Sequence, residues 1–208
     1  MPETRQKMAF LSGPRVYLRA LGELDAQGAY ADWFNDEEVC RGNSHHVFPY
    51  TAESALEYIR AVRARRDCLV LAVVLRDGDR HIGNISLQSI DPISRSAEFA
   101  IVMGDKATWG KGYGEEAGAL IVAHGFRTLN LHRIYCGTFE SNQGMRKLAE
   151  RLGMREEGRR RDAAFKDGEF VDVIEYGVLN SEFDARARSS TVAERDPTAV
   201  PSSRRTPR

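Results

Sequence analysis

Trp109-Gly110-Lys111-Gly112-Tyr113-Gly114-Glu115-Glu116-Ala117 places three glycines at alternate positions between a strand-like run and a helix-like one. Glycine allows a sharp backbone turn and brings N–H groups within reach of a ligand. At the start of a helix those amides lack intrahelical partners, and the helix dipole adds positive potential, so the stretch has the makings of a pyrophosphate cradle. Two other phosphate motifs are excluded by spacing. A Walker loop needs Gly-Lys followed by Ser or Thr, whereas Gly114 is followed by Glu115. A dinucleotide fingerprint needs Gly-x-Gly-x-x-Gly in a first βα unit, whereas here the third glycine comes one position early and the motif lies mid-chain.

The composition leaves room for one domain around that turn. The chain has 208 residues, 42% of them hydrophobic, with 30 Lys and Arg against 30 Asp and Glu. A net charge of zero provides no global attraction for nucleic acid or an anionic membrane, so neither partner is expected. No run reaches the apolar length of a membrane span, and the first residues carry no apolar leader core. Cys40, Cys68 and Cys136 are scattered and odd in number, which indicates neither a zinc site nor a disulfide framework. A reducing, cytoplasmic setting and no metal are the expectation. Residues 1–14 read as an N-terminal extension, 15–184 as the domain, and 185–208, rich in Arg, Ser, Thr and Pro, as a disordered tail.

Hydrophobic periodicity then lays out the elements. Residues 15–21 read as a strand, 25–34 as a short helix, and 51–65 as a helix capped by Thr51. Between the helices, 40–50 reads as an irregular loop. A meander follows: 69–75, a turn at Asp77-Gly78, 81–90, a break at Asp91-Pro92, and 97–103. After the glycine turn come a helix over 113–129, a strand over 133–139, a helix over 142–152, and two strands flanking Lys166-Asp167-Gly168. The order ββααβββαβαββ predicts an α+β fold with a mostly antiparallel sheet and one βαβ segment around the glycine turn.

Three blocks together are specific enough to resemble a known family: Ala97-Glu98-Phe99 through Ala117, Leu131 through Tyr135, and Ser141-Asn142 through Met154. Over roughly residues 15–179 the chain resembles the GNAT superfamily of acyl-CoA-dependent N-acyltransferases, and within it the RimJ/RimL branch of ribosomal-protein N-terminal acetyltransferases. The resemblance implies the GNAT fold, acetyl-CoA as cosubstrate, no metal, and a homodimer as one assembly seen among relatives. Gly112 and Gly114 match the glycines of the superfamily pattern, and Trp109 its first position. It follows from the resemblance that amides of Gly110, Lys111, Gly112, Tyr113 and Gly114 hold the CoA pyrophosphate, with the Lys111 ammonium adding a charge-assisted contact. Asn142 matches an asparagine that steadies the pantetheine arm, and Asn also suits a helix N-cap, so both roles stand.

Acyl transfer to an amine sets definite needs. A free alkylamine has a pKa of about 10 and must lose its proton to attack, through a base, a water or a depressing pocket. Glu98, on the strand leading to the glycine turn and flanked by Ala97, Phe99 and Ile101, is the candidate base; anchoring the substrate or orienting a neighbour is its other reading. The thioester oxygen needs a main-chain N–H, placed by the resemblance around Val102 and Met103, where many members carry a β-bulge. The usual acids are missing: Ala149 stands where many members have a tyrosine, and Met145 where this branch has a serine. A thiolate leaves with little need of a proton at about pH 8, and Tyr135 is a weak substitute donor that also reads as core. Cys136 would suit a ping-pong nucleophile but sits in a strand pattern. Trp33, His45, His46, Phe48 and Tyr50, with Arg161, are the candidate lining of the acceptor pocket, against the plainer reading of core aromatics and loop histidines.

The expected function is therefore transfer of an acetyl group from acetyl-CoA to a primary amine by direct attack in a ternary complex. The acceptor is a protein N-terminus or a small amine such as an amino sugar, polyamine or aminoglycoside. The alternative is a non-catalytic acyl-CoA-binding module.

Overall fold

A computed structural model of the chain describes residues 8–183. The tail expected over 185–208 and the first seven residues lie outside this range. The strands are β1 (Leu11–Ser12), β2 (Val16–Ala20), β3 (Leu69–Leu75), β4 (His81–Asp91), β5 (Ser96–Met103), β6 (Arg133–Phe139), β7 (Arg155–Lys166) and β8 (Glu169–Leu179). The helices are α1 (Tyr30–Trp33), α2 (Glu37–Cys40), α3 (Ala52–Ala64), α4 (Tyr113–Arg127) and α5 (Gln143–Arg151). The strands form one sheet in the order β1-β2-β3-β4-β5-β6-β8-β7. Every pairing is antiparallel except β5 with β6, which are joined through α4 as the expected βαβ segment.

Both faces of the sheet's first half are covered, and β3 shows why its sequence Leu-Val-Leu-Ala-Val-Val-Leu is apolar throughout. Leu71, Val73 and Leu75 join a core against α4 and α5, built with Ala117, Ile121, Val122, Phe126, Ala149 and Leu152. Ala72 and Val74 point the other way, into a second core made with Tyr30, Trp33, Phe34 and Val39 and with Ala55 and Ile59 of α3. Fully burying one such Ile or Val contributes roughly 1.5–3 kcal/mol, so the two layers hold the strand ends on which the site is built. On the opposite flank β7 is mostly exposed, in keeping with its charged sequence at the sheet edge.

The elements differ from expectation at the N-terminal side. Leu11 and Ser12, inside the stretch that reads as an extension, pair with Leu18 and Tyr17 as an edge strand. The helix expected over 25–34 is a 3-10 turn at Glu23–Gln27 followed by α1, with Gly28 extended between them. The break has its cause outside the segment. Asp25 turns inward to accept from the Gly22 N–H (2.7 Å) and from both terminal nitrogens of Arg19 (2.7 Å each), which tightens that turn. One helix, α2, lies at the edge of the expected loop; its Asp36 cap accepts from Glu38 and Val39 N–H. Thr51 caps α3 as expected, accepting from the Ser54 N–H.

Candidate active site

The site is built where β5 and β6 part. Their ladder has three rungs, Ser96 with Arg133, Ala97 with Ile134 and Glu98 with Tyr135. Beyond Glu98, β5 stays with β4 as far as Met103 beside Gly83, while β6 stays with β8 as far as Phe139 beside Val173. A wedge therefore opens between two strands that are each anchored on their far side.

The backbone register decides which groups face the wedge. The Gly104 N–H donates to the Ile82 carbonyl at 3.0 Å, directly opposite it in the ladder. Hydrogen-bonded pairs alternate in an antiparallel ladder, so Val102 exchanges bonds with Asn84 and Ala100 with Ser86. The amides of Ile101 and Met103 point away from β4, into the wedge. Of the two positions expected to supply the oxyanion donor, the register thus favours Met103 and commits Val102 to the sheet. The register also runs unbroken from Gln88 beside Glu98 to Gly83 beside Met103, so β5 carries no bulge here.

At the end of β5 the chain turns through Lys106–Thr108, capped by Asp105. Trp109 folds back so that its Nε1 donates to the Met103 carbonyl at 2.7 Å, leaving its ring 39% exposed. Gly110 and Gly112 have φ of 72° and 79°, in the left-handed region that disfavours side chains. Gly114 has no such φ; a methyl there would stand 3.7 Å from Ile101 Cδ1 and from Met103 Cγ. Gly112 is the N-cap of α4 and, having no side chain, leaves the first-turn amides without a side-chain acceptor. Lys111 is exposed beside them. The turn is held from below by a group that sequence reasoning missed. The Arg15 guanidinium donates to the carbonyls of Lys111 (3.0 Å) and Gly112 (3.4 Å) and pairs with Glu116 (2.8 Å).

Glu98 occupies the last shared rung, at the apex of the wedge, on the face opposite Phe99 and the α4 core. Its row places Gln88 on one side and Tyr135 on the other. It is partly buried, and no hydrogen bond or ion pair engages its carboxylate among the described residues. Tyr135 is half-buried beside it and stays outside both cores. Burial, then the charges of Glu98 and Glu175, push its phenol above the usual tyrosine range, so it remains protonated. Cys136, by contrast, is fully buried, and burial pushes its thiol up to about 12.

Asn142 caps α5, accepting from the Met145 N–H at 3.0 Å, and its amide nitrogen donates to the Gly42 carbonyl at 2.9 Å. A Cβ on Gly42 would overlap the Asn142 side chain. The β6–α5 junction is thereby fastened to the loop after α2. Neither position that lacks its usual acid supplies another: Met145 packs on the core and Ala149 is fully buried.

Among the candidate acceptor residues, Trp33, His45 and Tyr50 meet in one aromatic cluster. Trp33 is buried (6% exposed) against Gly104 and lies edge-on to His81 at 4.9 Å. Tyr50 is clasped by Asn35 through 2.6 and 2.8 Å bonds and packs on Tyr30 and Phe34. His45 stacks edge-on with Phe34 at 4.5 Å. His45 is exposed, but desolvation by its neighbours, with the Lys166 charge, holds its pKa below the usual histidine value, which favours the neutral ring at pH 7. Lys166, at the β7–β8 hairpin tip, reaches the His45 carbonyl at 3.4 Å, so this loop and the hairpin do adjoin. His46 (φ 67°) and Phe48 (82% exposed) stand outside the cluster, as does exposed Arg161 on β7.

A sheet parted beside a glycine-built helix start, with an unengaged carboxylate at the apex, suits an acyl-group transferase. The sequence agrees with this class: residues 15–155 match the family described as the acetyltransferase (GNAT) domain. The chain belongs to the GNAT acetyltransferase family and is an N-acetyltransferase by class. It is 27% identical over 180 residues to the uncharacterized N-acetyltransferase p20 of Bacillus licheniformis, covering 85% of this chain and 99% of that one. It is 32% identical over 113 residues to YdaF of Bacillus subtilis, a candidate ribosomal N-acetyltransferase, covering 54% of this chain and 61% of that one. Among solved structures it resembles the spermidine N-acetyltransferase from Vibrio cholerae in complex with CoA and spermine. That likeness has a TM-score of 0.74 at 25% identity and covers 82% of this chain and 99% of that one. No helix among the described residues is long and apolar enough to cross a membrane.

Proposed function

We propose that the protein transfers an acetyl group from acetyl-CoA to a primary amine, with the amine attacking the thioester directly in a ternary complex. The observation that carries this reading is the wedge between β5 and β6, which has α4's uncapped start at one end and Glu98 at its apex. In this reading the amides of residues 110–114 hold the pyrophosphate, with Lys111 adding charge. Trp109 and Asn142 brace the two sides of the donor's path. The Met103 N–H donates to the thioester oxygen as negative charge develops there. Glu98 takes a proton from the ammonium, directly or through water; the neutral amine then bonds to the carbonyl carbon, the adduct's nitrogen gives its extra proton to water, and the C–S bond breaks to release the thiolate. Trp33, His45 and Tyr50 form a wall of the acceptor site, and His46 and Phe48 its outer rim.

The acceptor in this reading is a small amine (a polyamine, an amino sugar or an aminoglycoside) or a protein N-terminus, the latter being the substrate of the RimJ/RimL branch. Likeness to a spermidine acetyltransferase supports the first and likeness to YdaF the second. A domain over residues 15–184, a cytoplasmic setting and a homodimer belong to the same proposal. The test is thiol release from acetyl-CoA, read colorimetrically with N-terminal peptides, polyamines, amino sugars and aminoglycosides. Release that depends on one amine class supports the proposal and names the acceptor. Binding of CoA with no release from any class overturns it in favour of a non-catalytic acyl-CoA-binding module.

A further inference from the structure

The Arg15–Glu116 pair does something a surface ion pair ordinarily does not: it holds a carbonyl of the glycine turn that the helix itself leaves free. Arg15 precedes β2 and lies about a hundred residues from its partners. Its guanidinium uses its fork on three acceptors at once, Nε on Glu116 Oε2 (2.8 Å), Nη1 on the Lys111 carbonyl (3.0 Å) and Nη2 on the Gly112 carbonyl (3.4 Å). Glu116 is held in turn by the main chain, its Oε1 accepting from the N–H groups of Arg15 (2.8 Å) and Val16 (3.0 Å). Its side chain is 11% exposed, against 52% for Arg15. The guanidinium also lies over the Tyr113 ring, 4.9 Å from its centroid.

A trans peptide is planar, with C=O and N–H pointing in opposite directions. A carbonyl of Lys111 held toward Arg15 therefore turns the Gly112 N–H away from it; the Gly112 carbonyl also accepts from the Glu116 N–H of α4 (3.1 Å), so the Lys111–Gly112 plane is the one that depends on Arg15. Gly110 and Gly112 have open φ/ψ space and no side chain to fix these planes themselves. We infer that Arg15, braced by Glu116, is a positioning residue that presents the amides of the glycine turn to the donor's pyrophosphate. This inference rests on the reading of residues 110–114 as the acetyl-CoA phosphate site.

The test compares two donors, acetyl-CoA and S-acetylpantetheine, which lacks the pyrophosphate, in the wild type, Arg15→Gln, Arg15→Lys and Glu116→Gln. The expected result for Arg15→Gln is a fall of about tenfold in the ratio of kcat/KM for acetyl-CoA to that for S-acetylpantetheine, carried by KM for acetyl-CoA. Arg15→Lys keeps the charge but not the fork and is expected to recover only part of the ratio. Glu116→Gln retains an acceptor for the two N–H groups and is expected to give a smaller fall in the same direction. Equal losses with both donors would mean a general structural role and overturn the inference, as would an unchanged ratio in all three variants. Should Arg15→Gln not fold, the other two variants decide. Failure of the wild type to use acetyl-CoA at all would strike the underlying reading instead, so the two failures are distinguishable.

Discussion

Replacing Gly112 and Gly114 by alanine, one at a time, separates two reasons for a glycine that the sequence pattern cannot tell apart. At φ of 79° an alanine adopts the left-handed region, at a cost of roughly 1–2 kcal/mol. Space is not the obstacle, because the nearest atom to a Cβ there is Arg15 Nη2 at 3.4 Å. Alanine also restricts the unfolded chain, which returns roughly 0.4–1 kcal/mol. The net expectation for Gly112→Ala is a loss of about 1 kcal/mol, or a fall in Tm of roughly 2–4 °C for a chain of this length. Gly114→Ala is different. The residue is helical, its methyl makes ordinary contacts, and helix propensity favours alanine by up to about 1 kcal/mol, so Tm is expected to hold or rise. A methyl beside the Gly114 N–H narrows the close approach that glycine allows a ligand, so KM for acetyl-CoA is expected to rise although stability does not fall. Thermal unfolding followed by circular dichroism, alongside initial rates at varied acetyl-CoA, reads both effects. A Gly112→Ala protein as stable as Gly114→Ala would refute the left-handed cap and, with it, the outward direction of the turn's amides.

Three further expectations follow from the same geometry. Glu98→Gln is expected to lower kcat by about 10²–10⁴-fold; an unchanged kcat would remove Glu98 as the base. Asp25→Ala leaves the Arg19 guanidinium buried at 4% exposure without its carboxylate, which is expected to cost about 3–5 kcal/mol, read as a shift of the urea midpoint. Burial acts to raise the Asp25 pKa, but hydrogen bonds with His81, Arg19 and Gly22 outweigh it and hold it well below the usual carboxylate range. Its contribution is therefore present in full above a pH of about 4 and is lost as pH falls toward the lowered folded value, so the difference between wild type and Asp25→Ala should shrink in acid. Cys136→Ala is expected to keep amine-dependent turnover, because a buried thiol with a pKa near 12 is not a ready nucleophile. A stoichiometric burst of CoA from acetyl-CoA without amine, absent in that variant, would show ping-pong chemistry instead.

Local chemistry made much of this molecule legible in its sequence. Strand 69–75 and strand 133–139 fall where alternation and apolar runs place them, Thr51 and Asn142 cap the helices they precede, and the glycine spacing marks the turn before α4. These features depend on neighbours within a few residues, and propensity and capping act over that range. The irregular split of residues 25–34 was hidden because its cause is Arg19 drawing Asp25 into the core, a contact between a strand and a loop.

The sequence by itself determined most of the elements, the glycine turn before α4 and the residue types able to carry acyl transfer. Tertiary structure alone decided that β8 inserts beside β6, that β5 and β6 part after Glu98, and that Met103 rather than Val102 turns its amide into the opening. It also decided that Arg15 reaches the carbonyls of the glycine turn and that Asn142 ties down Gly42. Each of these depends on strand register or on groups about a hundred positions apart, and neither leaves a periodic trace in one chain. Register comes from how two cores pack on both faces of the sheet, and a side chain's far partner is fixed only once that packing is complete.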